Sequence, residues 1–464
     1  MKRVDLVVIG AGPAGMAAAT TAAEHGLGVT LLDEQSRPGG QIYRDVDRAA
    51  AKRGGILGPD FQHGATLTRA LRDSAVEHIT GAVVWAIEDS FRISYTKESR
   101  GAQIEADRIL LATGALERPM PVPGWTLPGV MTAGAAQILL KQSGVVAKRA
   151  VLVGSGPLLY LIAAQMVRAG SPPLALVETQ SRADLTRATK YAGGALRAWP
   201  YLAKGLKLMT EISRARVPRH TGATGIAIEG EGRAEIVRFE AGGRTHRIAC
   251  DTVLLHHGVV PNTQAARSIG VSHRWNADQA AFVPVLDHWG CSEKAGVYIA
   301  GDGAGIGGAE VAEVAGQLAA LQIATEAERL AEASRDKFAA PLLKKRARDM
   351  AIRPFLDAAY PPAPEALLPG DATIICRCEE VTAGEIRRYA GLGCLGPNQT
   401  KAFGRPGMGP CQGRYCGLTV TALLSDALEQ TPDETGYYRI RPPLKPVTLS
   451  ELAEMDVPPQ RAKE

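Results

Sequence analysis

Residues 5–15 read Asp-Leu-Val-Val-Ile-Gly-Ala-Gly-Pro-Ala-Gly, and this stretch decides the fold class. Its unbroken apolar run, which ends at Ile9, is typical of a strand buried in a parallel sheet. Gly10, Gly12 and Gly15 follow at once, and the Ala-rich residues 16–25 predict a helix. A Gly-x-Gly-x-x-Gly turn between strand and helix binds a pyrophosphate on the free N–H groups of the helix. The stretch therefore predicts a dinucleotide-binding α/β fold.

A second predicted strand, residues 29–32, ends at Asp33, which lies 18 residues after Gly15. An acid at about this distance binds the adenosine ribose in such folds. Glu34 is the neighbouring candidate, and residues 39–41, Gly-Gly-Gln, offer a second close backbone approach.

Two later strands also end in glycine-containing turns. Residues 109–114 read Ile-Leu-Leu-Ala-Thr-Gly and residues 297–302 read Val-Tyr-Ile-Ala-Gly-Asp. With these segments in order, the chain resembles the glutathione-reductase-like pyridine nucleotide–disulfide oxidoreductases, flavoproteins with two dinucleotide domains. The resemblance implies FAD, with Asp302 on its ribityl chain. The matching cofactor-binding positions are Gly10, Gly12, Pro13, Ala14, Gly15, Asp33, Glu34, Gly40, Gln41, Ala112, Thr113, Gly114, Gly301 and Asp302.

A second copy of the strand–glycine–helix pattern begins near residue 150. Residues 154–159, Gly-Ser-Gly-Pro-Leu-Leu, and Glu178 resemble the NAD(P)-binding insert of the same family. The third glycine position is Leu159, whose side chain should push helix and strand apart. NAD(P) binding by the insert is therefore doubtful, and the sequence leaves open NAD(P), another nucleotide or no ligand. Residues 1–330 contain only the single Cys250 and Cys291, so thiol–disulfide exchange is not expected.

Four cysteines near the C-terminus form a Cys-x-Cys and a Cys-x4-Cys pair: Cys376, Cys378, Cys411 and Cys416. Four thiolates suit Zn²⁺ or a [2Fe–2S] cluster, and the residues alone leave both open. The spacing resembles the bacterioferritin-associated ferredoxin-like domain, which implies a [2Fe–2S] cluster on these four ligands. Cys394 has no partner in this pattern and is interpreted as structural.

The order of these parts, with residues 123–137 and 376–381, resembles the α (A) subunits of heterotrimeric bacterial amine and opine dehydrogenases. Nopaline and octopine oxidases, D-hydroxyproline dehydrogenase and hydrogen cyanide synthase are such complexes. The resemblance implies an electron-transfer subunit of an oxidoreductase acting on CH–NH donors. Its partners would be a substrate-oxidising β subunit similar to D-amino acid oxidase, a small ferredoxin-like γ subunit, and an acceptor protein or quinone. No catalytic residue is assigned, and His256 and His257 are interpreted as structural.

Two other functions stay open. A stand-alone NAD(P)H-dependent ferredoxin-type reductase would need a working nucleotide site at residues 154–159. A scaffold would hold another adenine nucleotide in the first domain and use the metal site structurally.

The expected domains are a FAD-binding domain (1–122 and 284–335), an NAD(P)-like insert (123–283), a linker (336–370), a small α-helical four-Cys domain (371–431) and a tail (432–464). The stretch 182–219 has nine Lys and Arg residues against two acids. It predicts either a solvated helix face or a docking surface for an acidic partner or a phosphate-bearing ligand. An FMN or another nucleotide at a subunit interface would be expected there.

The composition argues against other classes of protein. The 464 residues carry a net charge of only +5 and 5% aromatic residues, which does not favour a nucleic-acid partner. The apolar run at the N-terminus is too short for a signal peptide, and no stretch is long enough for a membrane span. We therefore expect a cytoplasmic protein, with peripheral contact at the inner membrane face through its electron acceptor.

Overall fold

The computed structural model describes residues 2–453 and 455. The first part of the chain forms most of a large sheet and its covering helices. Its elements are β1 (Lys2–Ile9), α1 (Pro13–Glu24), β2 (Val29–Asp33), α2 (Val46–Leu57), α3 (Pro59–Asp73), β3 (Glu77–Thr80), β4 (Val83–Ile87), β5 (Arg92–Lys97), β6 (Arg100–Leu111) and β7 (Ala115–Glu117).

The middle part forms a second sheet, a helical excursion and a meander. Its elements are β8 (Val130–Thr132), α4 (Ala133–Ser143), β9 (Ala150–Ser155), α5 (Pro157–Arg168), β10 (Ala175–Glu178), α6 (Arg182–Ala188), α7 (Ala192–Arg197), α8 (Trp199–Arg214), β11 (Arg219–Thr221), β12 (Thr224–Glu229), β13 (Ile236–Ala241), β14 (Arg244–Ala249), β15 (Thr252–His257) and β16 (Val259–Pro261).

The last part returns to the first sheet and continues into the cysteine-containing domain. Its elements are α9 (Gln264–Ser268), β17 (His273–Asn276), β18 (Ala281–Pro284), β19 (Val297–Ile299), α10 (Ala309–Glu326), α11 (Glu332–Met350), α12 (Arg353–Ala359), α13 (Pro364–Leu367), β20 (Ile374–Cys376), β21 (Val381–Thr382), α14 (Ala383–Gly391), α15 (Pro397–Gly404), α16 (Gly417–Ala427), α17 (Pro432–Thr435) and α18 (Leu449–Ala453).

The first sheet has the order β3-β2-β1-β6-β5-β4, with β19 also paired to β6. The long strand β6 changes partners along its length. Its first half pairs with β5 in antiparallel register, and residues 109–111 pair with β19 in parallel register. This change places the carboxyl ends of β1, β6 and β19 side by side, which is where ligands bind in open α/β sheets.

The second sheet is entirely parallel and has the order β11-β10-β9-β15-β8. The antiparallel meander β12-β13-β14 follows it, and the short pair β7–β16 connects the two sheet regions. The expected fold class is confirmed: two Rossmann-like α/β units, the second inserted in the first, and a small C-terminal domain that is mostly helical.

The stretch expected as a linker, 336–370, is largely helical. It contains most of α11, all of α12 and α13, and a short extended segment between α12 and α13. A capping box at residues 382–385 opens α14, because the Thr382 hydroxyl accepts the Glu385 N–H and the Glu385 carboxylate accepts the Thr382 N–H.

The expected tail packs across the first sheet region. The backbone N–H of Leu444 donates to Trp85 O at 2.7 Å, and the ammonium group of Lys445 contacts the Glu34 carboxylate at 2.8 Å. Residues 454 and 456–464 of this tail lie outside the described residues.

One continuous apolar core joins the first sheet to the cysteine domain. It includes Val7 and Ile299 from the sheet, Leu424 from α16, and Cys416, which immediately precedes α16. Across residues 2–453 and 455, no helix combines the length and apolar character that crossing a bilayer requires.

Candidate cofactor sites

The glycine turn after β1 packs backbone against backbone. Gly10 has φ +105°, and a Cβ there would lie 2.5 Å from Ala112 O. A Cβ on Gly15 would lie 1.8 Å from Gly10 O, and one on Gly40 would lie 2.8 Å from the Gly12 Cα. The expected loops 10–15, 39–41 and 112–114 are therefore brought together in one cradle.

Gly12 differs from its neighbours, because the chain itself leaves space beside it. Its φ is −76°, and the nearest atom to a Cβ there is the Gly40 Cα at 3.9 Å. Gly12 is also the N-cap of α1 and offers no capping side chain, with Pro13 next to it. The free N–H groups and the open space fit a phosphate group that approaches the backbone.

The two candidate ribose acids have protein partners. Asp33 is buried; its carboxylate accepts the Ala11 N–H at 2.5 Å and the Gln35 N–H at 2.7 Å, and burial raises its pKa. Burial acts to raise the pKa of Glu34 as well, but the hydrogen bond and charge of Lys445 outweigh it and lower this pKa. Asp33 therefore orders the glycine loop, and Glu34 holds the tail.

The remaining expected positions lie around the same cradle. Asp302 Oδ1 accepts the N–H groups of Gly307 and Gly308, both at 2.9 Å, just before α10. Gly301 has φ +77°, and a Cβ there would lie 2.8 Å from the Ala14 Cβ. The sequence pattern identified Gly301 only as part of the Gly-Asp motif and did not predict its close approach to Ala14.

Two buried cations beside the cradle were missed by sequence reasoning. Lys141 is 2% exposed, and its ammonium group donates to Gln41 O at 3.0 Å and to Gln137 Oε1 at 2.8 Å. Burial, helped by the charge of Arg44, lowers the pKa of Lys141 to about 7. Arg44 is also buried, and its Nε has no hydrogen-bond partner among the described residues. The two cations and the orphaned Nε fit an anionic ligand, and no local motif marks either residue.

The corresponding site of the insert is filled by side chains. Glu178 is fully buried, and Arg219 donates to its two carboxylate oxygens at 2.9 and 3.0 Å. The Arg219 guanidinium also lies 5.4 Å from the ring centroid of Tyr160. Leu159, at the third glycine position, is fully buried in the core of this unit. The acid that would bind a ribose is thus held by an internal ion pair.

Residues 360–363, which we call the strap, cross the carboxyl ends of β9 and β15. The Ser155 hydroxyl donates to Pro361 O at 3.2 Å, and the Ala363 N–H donates to His257 Nδ1 at 3.3 Å. Tyr360 packs edge-on against Tyr160, with ring centroids 6.1 Å apart. The strap therefore covers the turn at which the sequence pattern places a second nucleotide.

The adjacent histidines face different partners. His256 Nδ1 lies 2.7 Å from Glu117 Oε1, and His257 Nε2 lies 2.7 Å from Pro119 O. Burial lowers the pKa of His257 to about 3, so this ring is neutral near pH 7. The His257 ring therefore contacts the strap, and the His256 ring contacts Glu117 at the end of β7.

The four cysteines of the pattern are brought close to one another. The Cys376 sulfur accepts a hydrogen bond from the Cys416 thiol, and this bond with the N–H groups of Gly407 and Glu379 lowers the pKa of Cys376 to about 6 against the effect of burial. Cys378 contacts Cys411, and burial raises its pKa. Among the described residues, no three His, Cys, Asp or Glu side chains surround a single point closely enough to hold a metal ion. Cys394 is buried, and its thiol donates to Gly396 O at 3.4 Å.

A short segment connects the two sites. The Asn262 N–H donates to Gly114 O at 3.0 Å, and two residues later the Gln264 amide donates to Gln412 O at 3.3 Å, next to Cys411. Asn262 Oδ1 and Gln264 Oε1 are buried without partners among the described residues. Residues 262–264 therefore touch the cradle at one end and the cysteine turn at the other.

A cavity of about 670 Å³ opens on the other side of the cysteine turn. Its lining includes Lys401, Arg439 and Arg441 and no carboxylate. The Lys401 ammonium lies 4.8 Å from the ring centroid of Tyr438, whose hydroxyl is 3.9 Å from the Cys416 sulfur. The surroundings of the cysteine pairs are thus positive on this side.

Comparison with known proteins gives two matching families. Residues 4–329 match the family described as pyridine nucleotide-disulphide oxidoreductase, and residues 373–455 match the sarcosine oxidase A3 domain. Among the opine oxidase A subunits, that of Agrobacterium tumefaciens (strain Ach5) is 44% identical, over 97% of this chain and 92% of its own length. That of Rhizobium meliloti (strain 1021) is 42% identical, over 98% of this chain and 99% of its own length.

A solved structure shares the fold over nearly the whole chain. L-proline dehydrogenase from P. horikoshii superposes with a TM-score of 0.72 at 19% identity, covering 97% of this chain and 80% of that one. The family match, the opine oxidase relatives and the cradle geometry agree. The chain therefore belongs to the pyridine nucleotide-disulphide oxidoreductase family and is an oxidoreductase subunit homologous to the A subunits of bacterial opine oxidases.

Proposed function

We propose that this chain is the electron-transfer subunit of a multi-subunit amine or opine dehydrogenase and carries FAD and a [2Fe–2S] cluster. The observation that carries the proposal is the segment 262–264, which contacts Gly114 in the cradle and Gln412 beside Cys411. Electron transfer requires its two cofactors to lie close together in a fixed geometry. The shared apolar core of the first sheet and the cysteine domain supports such a geometry.

The cradle supports FAD as the first cofactor, which family membership also implies. Gly12 and the N–H groups at the start of α1 would receive the pyrophosphate, and Lys141 and Arg44 would balance its charge. Asp302 and the loops 39–41 and 112–114 would line the rest of the ligand. When bound, FAD converts two-electron into one-electron transfer.

The two cysteine pairs support a binuclear cluster as the second cofactor. A structural zinc ion takes four ligands around one point. Cys376, Cys378, Cys411 and Cys416 neighbour one another without three ligands surrounding a single point in the described chain, and four such thiolates fit two irons with two ligands each. The N–H groups of Gly407 and Glu379 at the Cys376 sulfur are the hydrogen bonds that tune such clusters.

The relatives suggest how the subunit works within its complex. The opine oxidase A subunits and hydrogen cyanide synthase subunit HcnB of Pseudomonas protegens, at 30% identity, are named as parts of larger enzymes. We propose that a flavin-containing partner similar to D-amino acid oxidase removes two electrons and two protons from an amine C–N bond, and that water hydrolyses the imine. Opines and D-hydroxyproline are candidate substrates. A small ferredoxin-like subunit completes the complex, and an acceptor protein or quinone receives the electrons.

The geometry does not favour an NAD(P)H-dependent reductase. Such an enzyme needs Glu178 free for a ribose, whereas Arg219 binds both of its oxygens. It also needs the turn at residues 154–156 open, whereas the Ser155 hydroxyl is bonded to the strap. We infer that the insert is a scaffold within this subunit and does not accept hydride from NAD(P)H.

The proposal is tested by reducing the purified, cofactor-loaded chain without oxygen. NADH is added first, and the flavin is then reduced by light with a catalytic amount of deazaflavin and EDTA as the electron donor, while low-temperature EPR follows the cluster. We expect no bleaching with NADH and a cluster signal that grows after illumination. The Gln264→Ala variant should show slower growth of the cluster signal at unchanged flavin and iron content. Flavin bleaching by NADH would establish the reductase instead, and a chain without bound flavin would establish the scaffold.

A further inference from the structure

The helices α6 to α8 carry an exposed apolar surface that no other part of the described chain covers. Leu196 is 67% exposed, and Trp199 and Leu206 are each 64% exposed. Burying large apolar side chains is favourable, so such a group exposed together marks a contact surface.

Helix α8 is apolar on two opposite sides. Leu208 and Ile212 are buried and face the core of the insert. Trp199, Ala203 and Leu206 are spaced at i, i+4 and i+7, which places them on one stripe of a 3.6-residue helix. This stripe is exposed and lies on the side away from Leu208. A helix that only packed on its own domain would be polar there.

The surroundings of the stripe are strongly cationic. Six exposed cations of this region form no ion pair among the described residues: Arg182, Lys190, Arg197, Lys207, Arg214 and Arg216. The two acids of the region are already engaged, because Asp184 pairs with Arg187 and Glu211 pairs with Arg168. The positive charge is therefore available to an external anion.

We propose that helices α6–α8 bind the surface of a bilayer that contains anionic lipids. An exposed Trp and Leu stripe flanked by Lys and Arg is the pattern of helices that lie in the membrane interface. Trp favours the headgroup level, long cationic side chains reach the lipid phosphates, and each basic residue near an anionic surface adds to binding.

The test is sedimentation of the cofactor-loaded chain with vesicles of phosphatidylcholine alone or with about one third phosphatidylglycerol. We expect binding to the anionic vesicles only. This binding should be lost in 0.5 M salt, because screening weakens the attraction. The double variant Trp199→Ser/Leu206→Ser should partition at least tenfold more weakly. The matched control is Leu392→Ser/Leu395→Ser, which removes two leucines that are 61% and 62% exposed in the cysteine domain. It should bind like the wild type.

Fluorescence gives a second, local measurement. Brominated lipids should quench part of the tryptophan emission of the wild type, and Trp199→Phe should remove that quenchable part. The proposal is overturned if anionic vesicles bind no better than neutral ones or if Trp199→Ser/Leu206→Ser binds normally. It is also overturned if this double variant turns a dimer of the free chain into a monomer, because the stripe would then be a contact between two copies.

Discussion

At the scale of single residues, the glycines of the cradle divide into two kinds. Gly10, Gly15 and Gly40 are required by the chain, since a Cβ would strike backbone atoms at 2.5, 1.8 and 2.8 Å. A Cβ on Gly12 would make no such contact, because its nearest neighbour, the Gly40 Cα, would lie 3.9 Å away. Because this open space lies at the start of α1, beside its free backbone N–H groups, it fits a bound phosphate.

The Gly12→Ala variant should therefore separate folding from flavin binding. The stability of the flavin-free chain should change by less than about 1 kcal/mol, the usual difference between Gly and Ala at an N-cap. Flavin affinity should fall at least about tenfold, because hydrogen bonds to a charged phosphate contribute about 1.5–3 kcal/mol each. Flavin content after desalting and thermal unfolding measure the two effects. The control is Gly55→Ala, where a Cβ meets nothing within 4 Å. Unchanged flavin binding in Gly12→Ala would place the phosphate elsewhere.

Lys141 makes the stability of the flavin-free chain depend on pH. Its pKa is about 7 when folded, against about 10.4 in an unfolded chain. Between these values the unfolded chain holds a proton that the folded one lacks, so the free energy of unfolding rises with pH. Relative to Lys141→Met, the wild type should gain about 2 kcal/mol between pH 7 and pH 9. Urea unfolding of both proteins at each pH measures this, and a difference that stays constant would contradict it.

The cysteines give a prediction with an internal control. Serine at Cys376, Cys378, Cys411 or Cys416 should lower the iron content and the visible cluster absorption, because in the proposed cluster each supplies one of four thiolates. Cys394→Ser should keep both, since its thiol bonds only to Gly396 O. Iron and acid-labile sulfide are assayed per chain. Equal loss in all five variants would argue against the four-ligand assignment.

At the scale of elements, the insert shows a Rossmann-like unit whose ligand site is closed from within. β10 ends at Glu178, β11 begins at Arg219, and their parallel pairing brings the two side chains together. The strap adds cover from a segment about 200 residues away, through Ser155 and Pro361. The ion pair and the strap lie at the strand ends where the family pattern predicts a nucleotide.

Breaking this ion pair on one side should be more costly than removing it entirely. Arg219→Met leaves the buried Glu178 carboxylate without its cation, with only the Tyr160 hydroxyl beside it, which should destabilise the chain by about 3 kcal/mol. The double variant Glu178→Gln/Arg219→Met should recover a large part of that loss, because no buried charge is left. Urea unfolding compares them with Arg149→Met, whose partner Asp251 is 66% exposed and whose loss should stay within about 0.5 kcal/mol. A double variant as unstable as the single one would rule out the unpaired charge as the cause.

At the scale of the whole molecule, the tail ties the cysteine domain to the first sheet. Leu444 is bonded on one side to Trp85 and on the other to the Arg414 guanidinium, which also donates to Cys411 O. The tail thus fixes the cysteine turn relative to the cradle, and with it the distance between the two cofactor sites.

Truncation after Ile440 should loosen this connection. Amide hydrogen exchange in residues 407–416 should become about tenfold faster or more, because two hydrogen bonds worth about 1 kcal/mol each and the buried Leu444 side chain are lost. Mass spectrometry of the deuterated peptides measures it. Lys445→Gln, which removes only an exposed pair with Glu34, should exchange like the wild type. Unchanged exchange in the truncated chain would show that the remaining apolar core is enough to hold the cysteine domain on the first sheet.

Much of the first site was predictable because it is built from local backbone geometry. A strand, a glycine turn and a helix follow each other directly at residues 5–24, so their spacing in the sequence is their spacing in the fold. The same holds for the capping box at residues 382–385. Leu159 is buried in the core of the insert, and the weak NAD(P) binding that it predicts stays a prediction.

The cation pair Lys141 and Arg44, the strap and the tail contacts could not be predicted in this way. Each depends on residues far apart in the chain, and their local sequences look ordinary. The residue pattern of α4 does not predict that Lys141 is buried. Its burial results from the packing of α4 against the loop at residue 41. Nothing in the sequence of the strap predicts that it contacts Ser155 and His257 of the insert.

The sequence by itself determined the fold class, the glycine cradle and the identity of the four cysteines, because these depend on short-range spacing and residue type. Only the tertiary structure decided which sites are open and how they are connected. It paired Glu178 with Arg219, laid the strap over the second glycine turn, brought the four cysteines together, and placed residues 262–264 between the cradle and the cysteine turn. The physical reason is that burial and charge pairing depend on the atoms that packing brings together, whatever their separation along the chain.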